Sequence, residues 1–339
     1  MTVVVTGASG HVGANLVRGL LARGRSVRVL IRKDRRAIQG LDVEDREGDV
    51  GDPTSLRRAF EGADVVYHAA AHISILSSEW PLLESVNIIG TRNVVDACLA
   101  SGVRRLVHFS SIHAICEEPL ETPVDETHPL VDSQNCPHYD RSKAAGEREV
   151  QRGIERGLDV VILNPTSIIG PHDYKPSHVG EVLLSLAQGK MPAVVEGGFD
   201  WVDVRDIVEG AIRAEEKAAA GSRFLLSGHW VSVQYLAGTV AEITGVPAPR
   251  FVCPMWLGRV GAPAATAFAR LSGKRPLFTS ASLRALNSHR RISHERATRD
   301  LDYHPRPFDE TVADALQWFV ATGRLAPRSP RSKPNGTAR

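Results

Sequence analysis

In the run Tyr139-Asp140-Arg141-Ser142-Lys143, a tyrosine stands four residues ahead of a lysine. On a helix that spacing puts both side chains on one face. A free phenol titrates near a pKa of about 10 and exchanges protons poorly at neutrality unless a cation stabilises its phenolate. Lys143 is such a cation. With it in place, Tyr139 can exchange a proton with a carbonyl or alcohol oxygen while a hydride moves at the neighbouring carbon. Helical Tyr/Lys pairs are also plentiful on ordinary surfaces, so the chemistry needs a third partner. Phe109-Ser110-Ser111 ends an apolar run that reads as a core strand, and a hydroxyl there stands at the carboxyl edge of a sheet, where open α/β folds bind ligands. Ser111 is the expected holder of the substrate oxygen. Ser110 is the alternative, because a serine ending a strand equally caps the next turn. Asn87 lies inside a segment of helical period, where asparagine is disfavoured without a specific partner. It would either bond backbone or hold a water that relays protons to Lys143.

A second constellation opens the chain. Thr6-Gly7-Ala8-Ser9-Gly10-His11-Val12-Gly13 follows an apolar run and leads into a segment of helical period. Strand, glycine turn and helix N-terminus together aim backbone N–H groups and the positive helix end at a pyrophosphate. Gly7 would permit the tight turn, Gly10 the approach of the phosphates, and Gly13 close packing of helix on strand. Where the second strand ends, an acidic residue would grip the adenosine ribose of NAD. Here the run is Ile31-Arg32-Lys33-Asp34. An arginine in that place can stack on adenine and pair with a 2′-phosphate, and Lys33 adds charge. The expected cofactor is therefore NADP(H) in preference to NAD(H), although a solvated basic loop would look the same.

Both constellations need a parallel sheet to position them, and the first half of the chain reads that way. Short apolar runs alternate with helical segments: strands over 3–5, 27–31, 64–68, 105–110 and 159–163, helices over 13–23, 54–60, 81–100 and 139–156. Strands covered on both faces read as nearly unbroken Val/Ile/Leu runs, as these do. After Asn164-Pro165 the rhythm changes. Residues 170–198 are rich in Gly, Pro and His and read as loops with one helix over 180–187, and 200–209 return to the core. From His229 the segments are mainly helical, over 233–244, 255–271, 280–286 and 309–321. The expected organisation is a Rossmann domain of residues 1–168 plus about 200–228, a smaller substrate lobe of 169–199 plus 229–323, and a disordered basic tail over 324–339.

The motifs TGASGHVG, EGDVGD, HAAA, VNIIGTRNVVDAC, HFSSI, YDRSK and NPTSIIGP occur in this order. Together they resemble the extended short-chain dehydrogenase/reductase family, within the NAD-dependent epimerase/dehydratase superfamily. The likeness is nearest to members similar to dihydroflavonol reductases and 3β-hydroxysteroid dehydrogenases. The resemblance implies a doubly wound parallel sheet with a smaller, mainly helical C-terminal substrate lobe, and Ser111, Tyr139 and Lys143 as catalytic triad with Asn87 as helper. It implies that Asp49 and Val50 flank the adenine and that Ala69, Ala70 and Ala71 line the cofactor. It also implies that Asn164, Pro165, Thr166 and Ser167 pass beside the nicotinamide. Arg32 matches the arginine such reductases use for the 2′-phosphate, and a homodimer through helices 81–100 and 139–156 is the family expectation.

Composition narrows the alternatives. A net charge of +2 gives no reason to expect a nucleic-acid partner. No apolar run approaches the length of a membrane span and the N-terminus carries no secretory pattern, so a cytoplasmic protein is expected. The four cysteines and thirteen histidines fall in no metal-ligand spacing, and no metal is expected. His72, His113, His138 and His172 fall near the expected cleft mouth. The apolar stretch 254–278 reads as lobe packing, a greasy pocket or a contact surface, with Trp201 a candidate pocket wall. The expected activity is hydride transfer between NADP(H) and a carbonyl or secondary alcohol of a small, apolar organic molecule. A sugar-nucleotide epimerase or dehydratase that retains NAD, and a non-catalytic NADP(H) sensor, are the competing readings.

Overall fold

The computed structural model describes residues 1–74, 76–258, 280–288 and 291–327. Strands β1 (Thr2–Thr6), β2 (Ser26–Ile31), β3 (Glu44–Glu47), β4 (Val65–His68), β5 (Arg105–Phe109) and β6 (Val160–Pro165) are followed by β7 (Ser167–Ile169), β8 (Ala193–Val195), β9 (Gly198–Asp203), β10 (Arg223–Leu226), β11 (His229–Ser232) and β12 (Phe251–Cys253). Helices α1 (His11–Ala22), α2 (Pro53–Phe60), α3 (Trp80–Leu83), α4 (Gly90–Ala100), α5 (His138–Glu155), α6 (His178–Ala187), α7 (Val204–Lys217) and α8 (Val233–Thr244) lie between them. Further helices follow over Ser280–Ala285, Glu295–Leu301 and Phe308–Ala321.

Seven strands form one parallel sheet in the order β10-β6-β5-β4-β1-β2-β3. The chain starts in the middle and winds outward both ways, which opens a crevice at the carboxyl ends of β1 and β4. Apolar side chains fill both faces. Val3, Val5, Tyr67, Val107 and Val161 pack with Leu16 of α1 and Ile207 and Ala211 of α7. On the other face, Val4, Val66, Leu106 and Val160 pack with Leu56 of α2, Val94 and Val95 of α4 and Val150 of α5. Local chemistry sets the helix starts: the Asp52 carboxylate accepts from Thr54 N at 2.9 Å ahead of α2, with Pro53 in the first turn.

Several details depart from the expected elements. The single helix over 81–100 is interrupted by a π-turn, Glu84–Ile89, between α3 and α4. There the Asn87 carbonyl accepts from the Thr91 hydroxyl at 2.8 Å, and Gly146 of α5 lies so close that a Cβ would stand 2.3 Å from that carbonyl. The widened turn bulges into the space the glycine leaves, as such insertions do near functional sites. β3 was not expected, because Glu-Asp-Arg-Glu is fully exposed on the sheet's outer edge and carries no apolar signal. The mainly helical C-terminal lobe also carries two small sheets, β11-β9-β7 and β12-β8, that were not expected. Trp201, the candidate pocket wall, is 4% exposed, donates from Nε1 to Val231 O at 2.9 Å and packs in the lobe core with Leu236 and Phe308. Among the described residues no helix is long and apolar enough to cross a membrane. Of the apolar stretch 254–278, residues 259–278 lie outside the described residues, as does the basic tail from 328.

Candidate active site

The glycine turn joins β1 to α1 at the crevice. Gly7 has φ +76°, and a Cβ there would stand 2.5 Å from Ala70 N and 2.6 Å from the Ala69 carbonyl carbon. A Cβ on Gly13 would meet Gly7 O at 2.2 Å. Both positions therefore accept glycine alone: Gly7 because the chain turns left-handed against the β4 loop, Gly13 because α1 packs on the turn. Gly10 caps α1 with no side chain over its N-terminus, so the first N–H groups of the helix face the crevice. This is a cradle a Cβ would fill, and it fits the pyrophosphate of a dinucleotide.

The turn is tied down from outside. His11 Nε2 and Asn15 Nδ2 both contact Pro171 O, at 3.0 and 2.9 Å. That carbonyl belongs to a tight loop in which His172 holds φ +62° and stacks on Tyr174 at 6.1 Å. Thr6 is fully buried, with its hydroxyl 2.8 Å from His68 Nδ1. Burial pushes His68 down to about 3, so the ring is neutral and serves to join β1, β4 and Thr91 of α4.

At the end of β2, the Arg32 side chain is 75% exposed and lies 3.6 Å from Asp49 Oδ2. Asp49 also accepts from Gly51 N at 2.8 Å, and Val50 is buried beneath, its carbonyl held by Asn93. Lys33, Ala71 and Gly10 are exposed, while Ser9, Val12, Ala69 and Ala70 are half-buried around the same crevice.

Ser111, Tyr139 and Lys143 come together at the end of β5. The Ser111 hydroxyl accepts from His113 N at 3.2 Å and is hydrogen-bonded to the Tyr139 phenol. Ser110, by contrast, points into the interior, its hydroxyl buried without a hydrogen-bond partner among the described residues. Of the two serines, Ser111 is the one whose hydroxyl meets the Tyr139 phenol. Lys143 is buried and donates from Nζ to Phe109 O at 2.9 Å. Burial lowers Lys143 to about 8 against the opposing pull of Glu147, and burial pushes Tyr139 up to about 12 against the Ser111 hydrogen bond. His113 stands edge-on to Tyr139, ring centres 5.8 Å apart, with Nδ1 3.4 Å from Asp140 Oδ1. Burial holds this imidazole near 4, so it is neutral at physiological pH.

Three expected site residues are held by protein partners. Asn87 donates to His72 O at 2.9 Å and to Ser142 Oγ at 3.0 Å, and accepts from His72 N at 2.8 Å. Both amide hydrogens are engaged, and Asn87 anchors the His72 main chain, one of its two expected roles. Asn164 is fully buried, and its amide donates to Ser111 O and to Glu147, away from the crevice. Thr166 similarly donates to Asp200 Oδ1 at 2.7 Å. Glu147 and Arg223, part of the same buried network, were not expected; the only trace in the sequence is a glutamate one helical turn beyond Lys143.

Against known proteins, the NAD dependent epimerase/dehydratase family matches residues 3–226. The chain is 39% identical to sterol demethylase protein B of Methylococcus capsulatus over 96% of its own length and 100% of that protein's. It is 32% identical to a putative dihydroflavonol 4-reductase of Synechocystis sp. over 94% of each chain. A crystal structure of gox2253 superposes with a TM-score of 0.84 at 34% identity, covering 96% of this chain and 99% of that one.

Proposed function

Because the chain belongs to the NAD dependent epimerase/dehydratase family, within the extended short-chain dehydrogenases/reductases, we propose that it interconverts a ketone and a secondary alcohol on a bulky, apolar small molecule, with NADP(H) as redox partner. The observation that carries this reading is the meeting of Ser111, Tyr139 and Lys143 at the carboxyl end of β5, beside the glycine cradle. When bound, the nicotinamide supplies or accepts the hydride. In the reducing direction the Tyr139 phenol donates its proton to the carbonyl oxygen as the carbonyl carbon gains the hydride. The Ser111 hydroxyl donates to the same oxygen and holds it in place. The Lys143 ammonium stabilises the phenolate left behind, which solvent then reprotonates.

The preference for the phosphorylated cofactor rests on Arg32. Its guanidinium is exposed at the end of β2, where NAD enzymes of this architecture place an acid, and its one ion pair among the described residues is a loose contact to Asp49. Calorimetric titration of the cofactor-free protein with NADPH and NADH tests this. NADPH should bind at least about tenfold more tightly, and Arg32→Ala should remove the difference, since a charge-assisted contact contributes about 1.5–3 kcal/mol. Equal affinities would end the NADP(H) reading, and NAD that copurifies with the protein would favour an epimerase or dehydratase that retains its cofactor. The names of the two relatives, a sterol and a dihydroflavonol protein, direct the first substrate panel to apolar ketones. A 3-oxosteroid, a flavanonol and a β-keto ester make up that panel, and no turnover of any of them would overturn the reading.

The same reading includes a homodimer through α3, the π-turn, α4 and α5. Leu82 and Ile89 support it, being 46% and 43% exposed on that face of the molecule. Sedimentation at micromolar concentration should give twice the mass of the chain; a single-chain mass would exclude the dimer.

A further inference from the structure

Glu147 is completely buried one turn beyond Lys143, where a carboxylate needs specific partners. One oxygen pairs with Nη2 of Arg223 at the start of β10, and the other accepts from Asn164 Nδ2 of β6 at 3.0 Å. The same Asn164 nitrogen donates to Ser111 O at 2.9 Å. Arg223 in turn reaches Glu126 O at 3.4 Å, in the loop that follows Ser111. A continuous polar chain therefore runs from the edge of the sheet, through α5, to the main chain of the residue whose hydroxyl meets Tyr139. On the other side, Lys143 holds Phe109 O. The end of β5 is gripped at 109 and again at 111.

Fastening α5 to β10 does not by itself require ions, because an apolar pair of similar volume serves as well or better. What apolar side chains cannot do is orient an amide. Two acceptors, the Ser111 carbonyl and the Glu147 carboxylate, converge on the same end of Asn164, so only the NH2 group fits there. Turned the other way, the amide oxygen would face a carbonyl and a carboxylate. The opposite end, Oδ1, is buried and has no hydrogen-bond partner among the described residues. An amide kept at the expense of an unsatisfied acceptor is kept for its donors.

We propose that the Arg223–Glu147–Asn164 chain is the positioning device of the active site, fixing the main chain of Ser111 so that its hydroxyl stands against the Tyr139 phenol. None of the three touches the reacting atoms. They act through Ser111, and the inference rests on the reading of Ser111 as the residue that holds the substrate oxygen.

The test is a double-mutant cycle between Asn164→Leu, which keeps side-chain volume but removes the donor, and Ser111→Ala. It is read as kcat and as KM for NADPH, with whichever ketone of the panel above is reduced fastest. With Ser111 present, Asn164→Leu should lower kcat about 10- to 100-fold, the size of a lost outer-shell contact or a misplacement of about 1 Å. KM for NADPH should stay within about threefold. In the Ser111→Ala background, the same substitution should change kcat by less than about threefold, because there is no hydroxyl left to misplace. An equal loss of kcat in both backgrounds would show that Asn164 acts independently of Ser111 and would overturn the inference. A Ser111→Ala enzyme as fast as the parent would instead sink the reading of Ser111, and the positioning role with it. Should Asn164→Leu not fold, Asn164→Ala takes its place in the cycle. If neither variant binds NADPH, the chain is a folding element and the inference is wrong.

Discussion

Tyr139→Phe is expected to lower kcat by a factor of about 10² to 10⁴ while leaving NADPH affinity and Tm at parental values. The substitution deletes one oxygen and no packing volume, so the loss reports the proton and the phenol's hydrogen bond to Ser111. The rest of the machinery survives: Lys143 keeps its bond to Phe109 O, and Ser111 still caps the turn before His113. The pH profile should identify the proton's carrier. Burial pushes the phenol up to about 12, so in the free enzyme Tyr139 carries its proton throughout the working range. Burial brings Lys143 down to about 8. Reduction by the parent enzyme should therefore be flat below about pH 8 and fall above it, as the ammonium that stabilises the phenolate is lost. Glu147 is the negative group acting on Lys143, and His68 and His108 beside it are held neutral by burial, so neither adds a second titration in this range. Steady-state rates of NADPH oxidation between pH 6 and 10 check both statements. Residual activity within tenfold of the parent would remove Tyr139 from the proton-transfer role.

How far the fold can be read in advance depends on where the apolar residues lie. β1, β2, β4, β5 and β6 are fully or mostly buried runs of Val, Ile and Leu, and each was legible within one or two residues. β3 was not, since nothing in Glu-Asp-Arg-Glu distinguishes an exposed edge strand from a loop. The three-residue strands of the lobe were too short to show a period. The same physics divides the site. That Tyr139, Lys143 and Ser111 would meet was legible because it depends on spacing along one helix and on position at a strand end. The glycine turn was legible because only glycine fits where a Cβ would lie 2.2 to 2.5 Å from main chain. The direction in which Asn87 and Asn164 point was not, because an amide finds its partners only once distant segments meet: His72 and Ser142 for one, Ser111 and Glu147 for the other. Glu147 was hidden differently. In HYDRSKAAGEREVQRG it stands among charged residues and reads as part of a solvated helix face, yet it is the one that turns inward to meet Arg223.

Arg223→Met is expected to destabilise the fold by about 3–5 kcal/mol, because it leaves the Glu147 carboxylate buried without its counter-charge. Glu147 is wholly inaccessible and Arg223 nearly so, with 15% of its side chain exposed, so water cannot take over the lost contact. One amide hydrogen from Asn164 would then face a full charge alone. Urea unfolding at pH 7.5, with an unchanged m-value, measures the loss. A loss below about 1 kcal/mol at pH 7.5 would show that the pair behaves as a solvated one. The double variant Arg223→Met, Glu147→Leu then separates the two roles of the network. With both charges replaced by apolar groups of similar size, most of the stability should return. The reference point that orients the Asn164 amide does not return with it, so kcat should stay low. Recovery of stability together with recovery of turnover would mean that the ions fasten α5 to the sheet edge and do nothing for Ser111.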